Sequence, residues 1–398
     1  MYGIRPWLFV FLLVFFTGYL CAQSLPLITA RQAGMDGTKL ERIDRVIEKA
    51  IEKKQIPGAV LLVMRDNRIV YRKAFGFKQI YPVKKPMSVE TVFDLASLTK
   101  PIATATSLMI LLEQGQIRLL DEVKLYIPTF TAWIDDSTKE KTHVRIIHLL
   151  THTSGLPPYA PVDKLKKQFG SPAADSLIHY IATVKRHHAP GAYFKYSCLN
   201  FITLQHIIEQ ISGQTLQDFS YKNIFKPLNM RHTGYKPSQA SSCAPTELLD
   251  DGTLLQGTVH DPLARVMMGC ISGNAGLFST ADDLALFSAM MLNNGYLNDT
   301  RILSPASVHT MVSVPANYEK FGRGLGWDLN SAYSSNQGDL FGSQTYGHTG
   351  YTGTSLIIDP ETRTSLIFLT NRVHPNDKGS VVRLRSLVAN MVAAAIVK

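Results

Sequence analysis

Apolar residues recur every three or four positions early in the chain. Leu40, Ile43, Val46, Ile47, Ala50 and Ile51 fall on one stripe of a helix over residues 38–54, which Pro57-Gly58 ends. The pattern then changes. Ala59-Val60-Leu61-Leu62-Val63-Met64 is a continuous apolar run of strand length, Asp66-Asn67 supplies a turn, and residues 69–76 return as the partner strand. A second helix follows Ser97 and runs through Leu108-Met109-Ile110-Leu111-Leu112 to Gly115. Residues 116–270 read mostly as helices joined by Pro- and Gly-rich loops, residues 146–150 being one example. Strand pattern returns late: residues 355–358 and 365–369 flank Asp359-Pro360-Glu361-Thr362 as a hairpin with its turn, and residues 380–397 close the chain as a helix. This order predicts an α/β fold of the α+β type. Strands from both ends of the chain join in one antiparallel sheet flanked by helices, and a large all-α insert occupies roughly residues 116–270. No linker-like boundary divides residues 23–398, which are expected to form one domain.

Composition adds less. At 398 residues, 45% apolar and 18% charged, the chain is of ordinary globular make-up with enough length for a large core. Its N-terminus departs from that average. Arg5 precedes an almost wholly apolar run from Trp7 to Leu20, too short to span a bilayer, so residues 1–22 are expected to be a cleaved signal peptide and the product secreted or periplasmic. Cleavage removes Cys21 and leaves Cys198, Cys243 and Cys270, too few for a disulfide scaffold. The formal charge of +10 drops to +9, because the leader carries one arginine and no acid. Such a surplus suits association with anionic envelope polymers or membrane surfaces. No basic stripe interleaved with aromatics occurs, which argues against nucleic-acid binding.

The candidate chemistry centres on Ser97-Leu98-Thr99-Lys100. A serine and a lysine three apart at a helix start share one face, and an amine there can activate a hydroxyl. Pro190-Gly191-Ala192-Tyr193-Phe194-Lys195-Tyr196-Ser197 places Tyr196 on a loop before a helix starting near Leu199, where a phenol close to cations can shuttle protons. Gly347-His348-Thr349-Gly350-Tyr351-Thr352-Gly353 precedes the terminal hairpin, and its glycines allow a backbone N–H to approach an oxyanion. Gly273-Asn274-Ala275-Gly276-Leu277-Phe278-Ser279-Thr280 reads as a Gly-rich loop and then a helix capped by Ser279 or Thr280.

Taken in order with His148-Leu149-Leu150-Thr151-His152-Thr153-Ser154-Gly155-Leu156 and Gly324-Leu325-Gly326-Trp327, these stretches resemble the serine β-lactamase and penicillin-binding-protein superfamily in its class C-like branch. The resemblance implies Ser97 as acylated nucleophile, Lys100 as the group that orients and helps deprotonate it, and Tyr196 as general base and then acid. It implies His348 in the place usually held by lysine, and an oxyanion hole from the N–H groups of Ser97 and Tyr351. Thr349, Gly350 and Cys198 would touch substrate, and no metal or cofactor is implied. Two departures bear on the activity. Cys198 stands where the second motif usually has Asn, and it hydrogen-bonds weakly. His348, largely neutral near pH 7, holds a carboxylate less firmly than an ammonium does. Both weigh against an efficient β-lactamase, and the third-motif histidine looks like the branch containing esterases, D-amino-acid peptidases and muramyl amidases. Gly257-Thr258-Val259-His260-Asp261-Pro262 looks like a stretch of the same relatives, with His260 lining the cleft or fixed by Asp261. The expected activity is an exported serine hydrolase acting on a small molecule or peptidoglycan fragment, through an amide or an ester. The alternatives are a class C-type β-lactamase or D-Ala-D-Ala carboxypeptidase, and an inactive envelope-binding protein.

Overall fold

The apolar run after the first helix becomes the middle of a sheet. In the computed structural model, which describes residues 25–329, 331 and 336–397, the main sheet consists of β1 (Gly58–Arg65), β2 (Arg68–Gln79), β3 (Lys85–Pro86), β4 (Tyr346–Thr349), β5 (Ser355–Asp359) and β6 (Thr364–Thr370). Their order is β4-β5-β6-β1-β2-β3, antiparallel throughout. Asp66 and Asn67 both take positive φ, 48° and 59°, the two-residue turn that matches strand twist. As expected, strands from both ends of the chain meet: β1 lies between β2 and β6.

Five helices pack on this sheet or lead into the site: α1 (Gly37–Glu52), α2 (Thr106–Glu113), α3 (Cys198–Ser212), α4 (Ala281–Leu292) and α5 (Val382–Ala395). Alternate residues of β1 serve two cores. Ala59, Leu61 and Val63 pack with Leu40, Ile43 and Ile47 of α1 and Val388 of α5. Val60, Leu62 and Met64 belong to the larger core with Leu284 and Phe287 of α4. A strand covered on both faces needs apolar residues at every position, hence the unbroken run in the sequence. Thr280 caps α4 by accepting the Asp283 N–H.

Residues 116–270 are not all-α. Alongside α3 and helices such as Ile146–Leu150 and Ala174–Thr183 lie a strand pair, Trp133–Ile134 with Lys141–Thr142, and a strand, Gly234–Tyr235. The pair is turned by the Asp135 carboxylate, which accepts the N–H groups of Ser137 and Thr138. Gly234–Tyr235 is extended because it pairs with Leu277–Ser279, which also pairs with Phe93–Asp94. Such contacts between distant segments leave no periodic trace. Cys198, Cys243 and Cys270 are free thiols. The predicted leader lies outside the described residues, among which no helix is long and apolar enough to cross a membrane.

Candidate active site

The small sheet delivers the chain to Ser97. After Phe93–Asp94 the backbone turns sharply through Ala96, whose φ of 46° is unusual for a residue with a Cβ. Asp94 stabilises the turn, its carboxylate accepting the N–H groups of Ala96 at 2.9 Å and His260 at 2.7 Å. Burial pushes this carboxyl up despite the two N–H bonds that favour its charge. Ala96–Leu98 forms a single 3₁₀ turn, and Lys100–Ala105 continues as a wider π-helical turn into α2.

Lys100 is fully buried. Its ammonium donates to Ser97 Oγ at 2.9 Å and to the Asn274 carbonyl at 2.9 Å, with Cys198 Sγ at 3.7 Å. Tyr196 is a further hydrogen-bond partner, its ring centroid 5.1 Å from Nζ. Burial alone would drive Lys100 toward neutrality, but charge on Cys198 and Tyr196 outweighs it and holds the ammonium above its ordinary value. Burial also pushes the Cys198 thiol up.

Tyr196 is held from behind. Its ring stacks on His152, centroids 4.3 Å apart, and His152 Nδ1 accepts the Ser197 N–H at 3.1 Å. Ser197 Oγ donates to the Pro157 carbonyl, and the next residue opens α3. Burial, with the Arg323 and Lys100 charges adding, keeps His152 neutral, well below the ordinary histidine range. Nothing about an isolated His152 in the sequence points to this role; only its place in the His148–Leu156 stretch does.

The edge strand β4 forms the other wall. Gly350 packs so closely on the Ser97 turn that a Cβ would lie 2.4 Å from the Leu95 carbonyl oxygen. Thr352 and Thr354 donate to the Asp94 and Leu95 carbonyls at 2.7 and 3.0 Å, sewing the strand to the turn. Arg385 of α5 donates to the carbonyls of Gly350 (2.9 Å) and Thr354 (2.7 Å), while Arg372 Nε donates to the Tyr351 carbonyl at 2.8 Å. Asp377 accepts from both the Tyr351 hydroxyl and Arg372. His348 is buried, its Nδ1 donating to the Thr349 carbonyl at 2.9 Å and its ring 6.1 Å from that of Tyr196. Burial, then Arg323 and Lys100, hold it well below its ordinary pKa.

Ser97, Tyr196, Cys198, His260, Thr349, Gly350 and Tyr351 line one cavity of about 940 Å³; Lys100 and His348 stand behind its wall. His260 is fixed by Glu247, 3.0 Å from Nε2, and stacks on Tyr351 at 5.6 Å. Asp261, expected as its anchor, instead bonds Tyr159 and the Ala264 N–H. Sequence reasoning misses the roles of Asn274, Asp94, Arg372 and Arg385, because each acts through a backbone group that no side-chain pattern reveals. Among the described residues no group of three or more His, Cys, Asp and Glu could hold a metal ion.

One neighbour ties this region to acid stability. Burial, reinforced by Arg145, holds His148 at about 4 against an ordinary 6.5. The folded chain keeps it neutral while the unfolded chain protonates it, so it costs nothing above about pH 7 and removes stability as pH falls from about 6.5 to about 4. The loss reaches about 3 kcal/mol. Thermal melts should show His148→Gln flatter than wild type across that window; identical slopes would contradict the assignment.

Residues 43–390 match the family described as beta-lactamase. The chain is 34% identical over 378 residues to the N-acetylmuramyl-L-alanine amidase of Bacillus subtilis (strain 168), covering 87% of this chain and 84% of that one. It is 32% identical over 384 residues to an Escherichia coli (strain K12) protein given the provisional name D-alanyl-D-alanine carboxypeptidase, covering 89% and 87%. Among solved structures, EstCE1, a hydrolase with promiscuous acyltransferase activity, superposes with a TM-score of 0.70 at 24% identity, covering 91% of this chain and 99% of that one. With a family match across most of its length and relatives above 30% identity, this chain belongs to the β-lactamase family of hydrolases.

Proposed function

We propose that this hydrolase works through an acyl-enzyme on Ser97 and cleaves an amide in peptidoglycan-derived fragments, with carboxylic esters as a second substrate class. The observation that carries the reading is the buried ammonium of Lys100, in hydrogen-bond contact with both Ser97 Oγ and Tyr196. A charged lysine cannot accept the serine proton, so that role goes to the Tyr196 oxygen. Lys100 stabilises negative charge on whichever of the two oxygens bears it. Ser97 Oγ attacks the carbonyl carbon as its proton passes to Tyr196. The oxyanion faces the N–H groups of Ser97 and Tyr351, and Tyr196 returns the proton to the leaving nitrogen. Water then repeats the sequence on the acyl-enzyme.

His348 and Cys198 support an amide or ester substrate over a β-lactam. A neutral imidazole and a thiol give little hold on a lactam carboxylate and side-chain amide. The amidase relative supports the substrate class. The leader, residues 1–22, would deliver the mature domain, residues 23–398, to the envelope, where such fragments occur.

A fluorophosphonate probe should label Ser97 in the folded protein, read by mass spectrometry of the labelled peptide. Muramyl peptides should be turned over faster than nitrocefin. An unlabelled, inactive wild type would overturn the mechanism. Labelling with rapid turnover of nitrocefin, and no hydrolysis of muramyl peptides or esters, would overturn the substrate class alone.

A further inference from the structure

On the far side of α5 from the catalytic cavity, a groove of about 560 Å³ runs between α1 and α5. Arg42, Arg45, Lys49 and Lys53 line it from α1 and its C-terminal cap, and Arg383 from α5. All five are exposed, and among the described residues none is in an ion pair. The spacing of three, four and four residues puts the α1 cations on one helical face, about 5 Å apart along the axis. Three of the four acids of α1, all but Glu52, lie toward Tyr71 of β2. Asp44 bonds Tyr71 and Lys73 of β2, and Glu41 and Glu48 lie near enough to act on the Tyr71 phenol. No acid lines the groove, whose floor is apolar: Val46, Leu387 and Met391.

We infer that this groove binds an extended phosphate-bearing polymer. A row of cations at one-turn spacing matches a linear polyanion, and each guanidinium of Arg42, Arg45 and Arg383 is able to fork onto a phosphate. The cations line a concavity between helices, which accepts a chain and not a flat bilayer. The groove has no aromatic side chain, so it offers no platform for nucleobases. Ser380 lines both this groove and the catalytic cavity, so a polymer held here lies beside the substrate entrance. The site stands independently of the chemistry at Ser97.

The test is calorimetric titration of the full chain with inorganic polyphosphate across a series of salt concentrations. With five contacts, log Kd should rise with log salt with a slope of about three to four. Arg42→Gln/Arg45→Gln/Lys49→Gln should weaken binding at least tenfold and cut the slope by about two. Hydrolysis of a small chromogenic ester should not change. Lys164→Gln/Lys166→Gln/Lys167→Gln, which removes the same charge from another helix, should leave binding intact. Circular dichroism confirms folding, and Arg383→Glu alone serves as a second groove variant. Equal losses in both triple variants, no loss in either groove variant, or binding to phosphatidylglycerol vesicles in place of polyphosphate would overturn the inference.

Discussion

Ser97→Ala is expected to lower kcat by about a millionfold, the scale seen when a nucleophile is removed from an acyl-transfer enzyme. It should abolish fluorophosphonate labelling and leave the fold unchanged. The substitution deletes one hydrogen-bond acceptor of Lys100, whose other partners, the Asn274 carbonyl at 2.9 Å, Tyr196 and Cys198 Sγ, remain. The Ala96 turn does not depend on the hydroxyl either, since it is held by Asp94 and by the threonines of the β4 turn. Melting temperature should therefore stay within a few degrees of wild type while turnover disappears. A variant keeping more than a hundredth of wild-type turnover would rule out Ser97 as the acylated group.

Tyr196→Phe is expected to lower kcat by about a thousandfold or more, within the range of a positioned general base. The phenyl ring keeps the stack on His152 at 4.3 Å and the contact with the Lys100 ammonium at 5.1 Å, so only the proton-carrying oxygen is lost. KM should change little, and labelling of Ser97 should slow in step with turnover, because both need the serine proton taken up. A drop of less than tenfold would mean that another group accepts the proton and that the phenol only shapes the cavity wall.

What is legible in the sequence depends on the kind of contact involved. The sheet can be read because β1 is buried on both faces and its turn carries two residues suited to positive φ. Ser97, Tyr196 and Tyr351 can be placed because their motifs occur in an ordered set, and all three line the same cavity. The insert reads wrongly as all-α because Trp133–Ile134 and Gly234–Tyr235 owe their extended form to an Asx turn and to remote pairing. The anchor of His260 is missed for a related reason: the neighbour in sequence, Asp261, turns to Tyr159, while Glu247 comes from thirteen residues upstream. Asp94, Asn274 and Arg385 stay hidden because their partners are amides and carbonyls of the main chain.

The contact between Arg385 and the Gly350 carbonyl has a reach beyond holding a strand in place. That carbonyl and the Tyr351 N–H are opposite ends of one conjugated amide. A guanidinium drawing electron density toward the oxygen leaves the nitrogen's hydrogen more acidic, a better donor to an incoming acyl oxygen in the proposed oxyanion hole. Arg385 sits two residues from Arg383, so the helix that lends one cation to the groove also carries the guanidinium that polarises this amide.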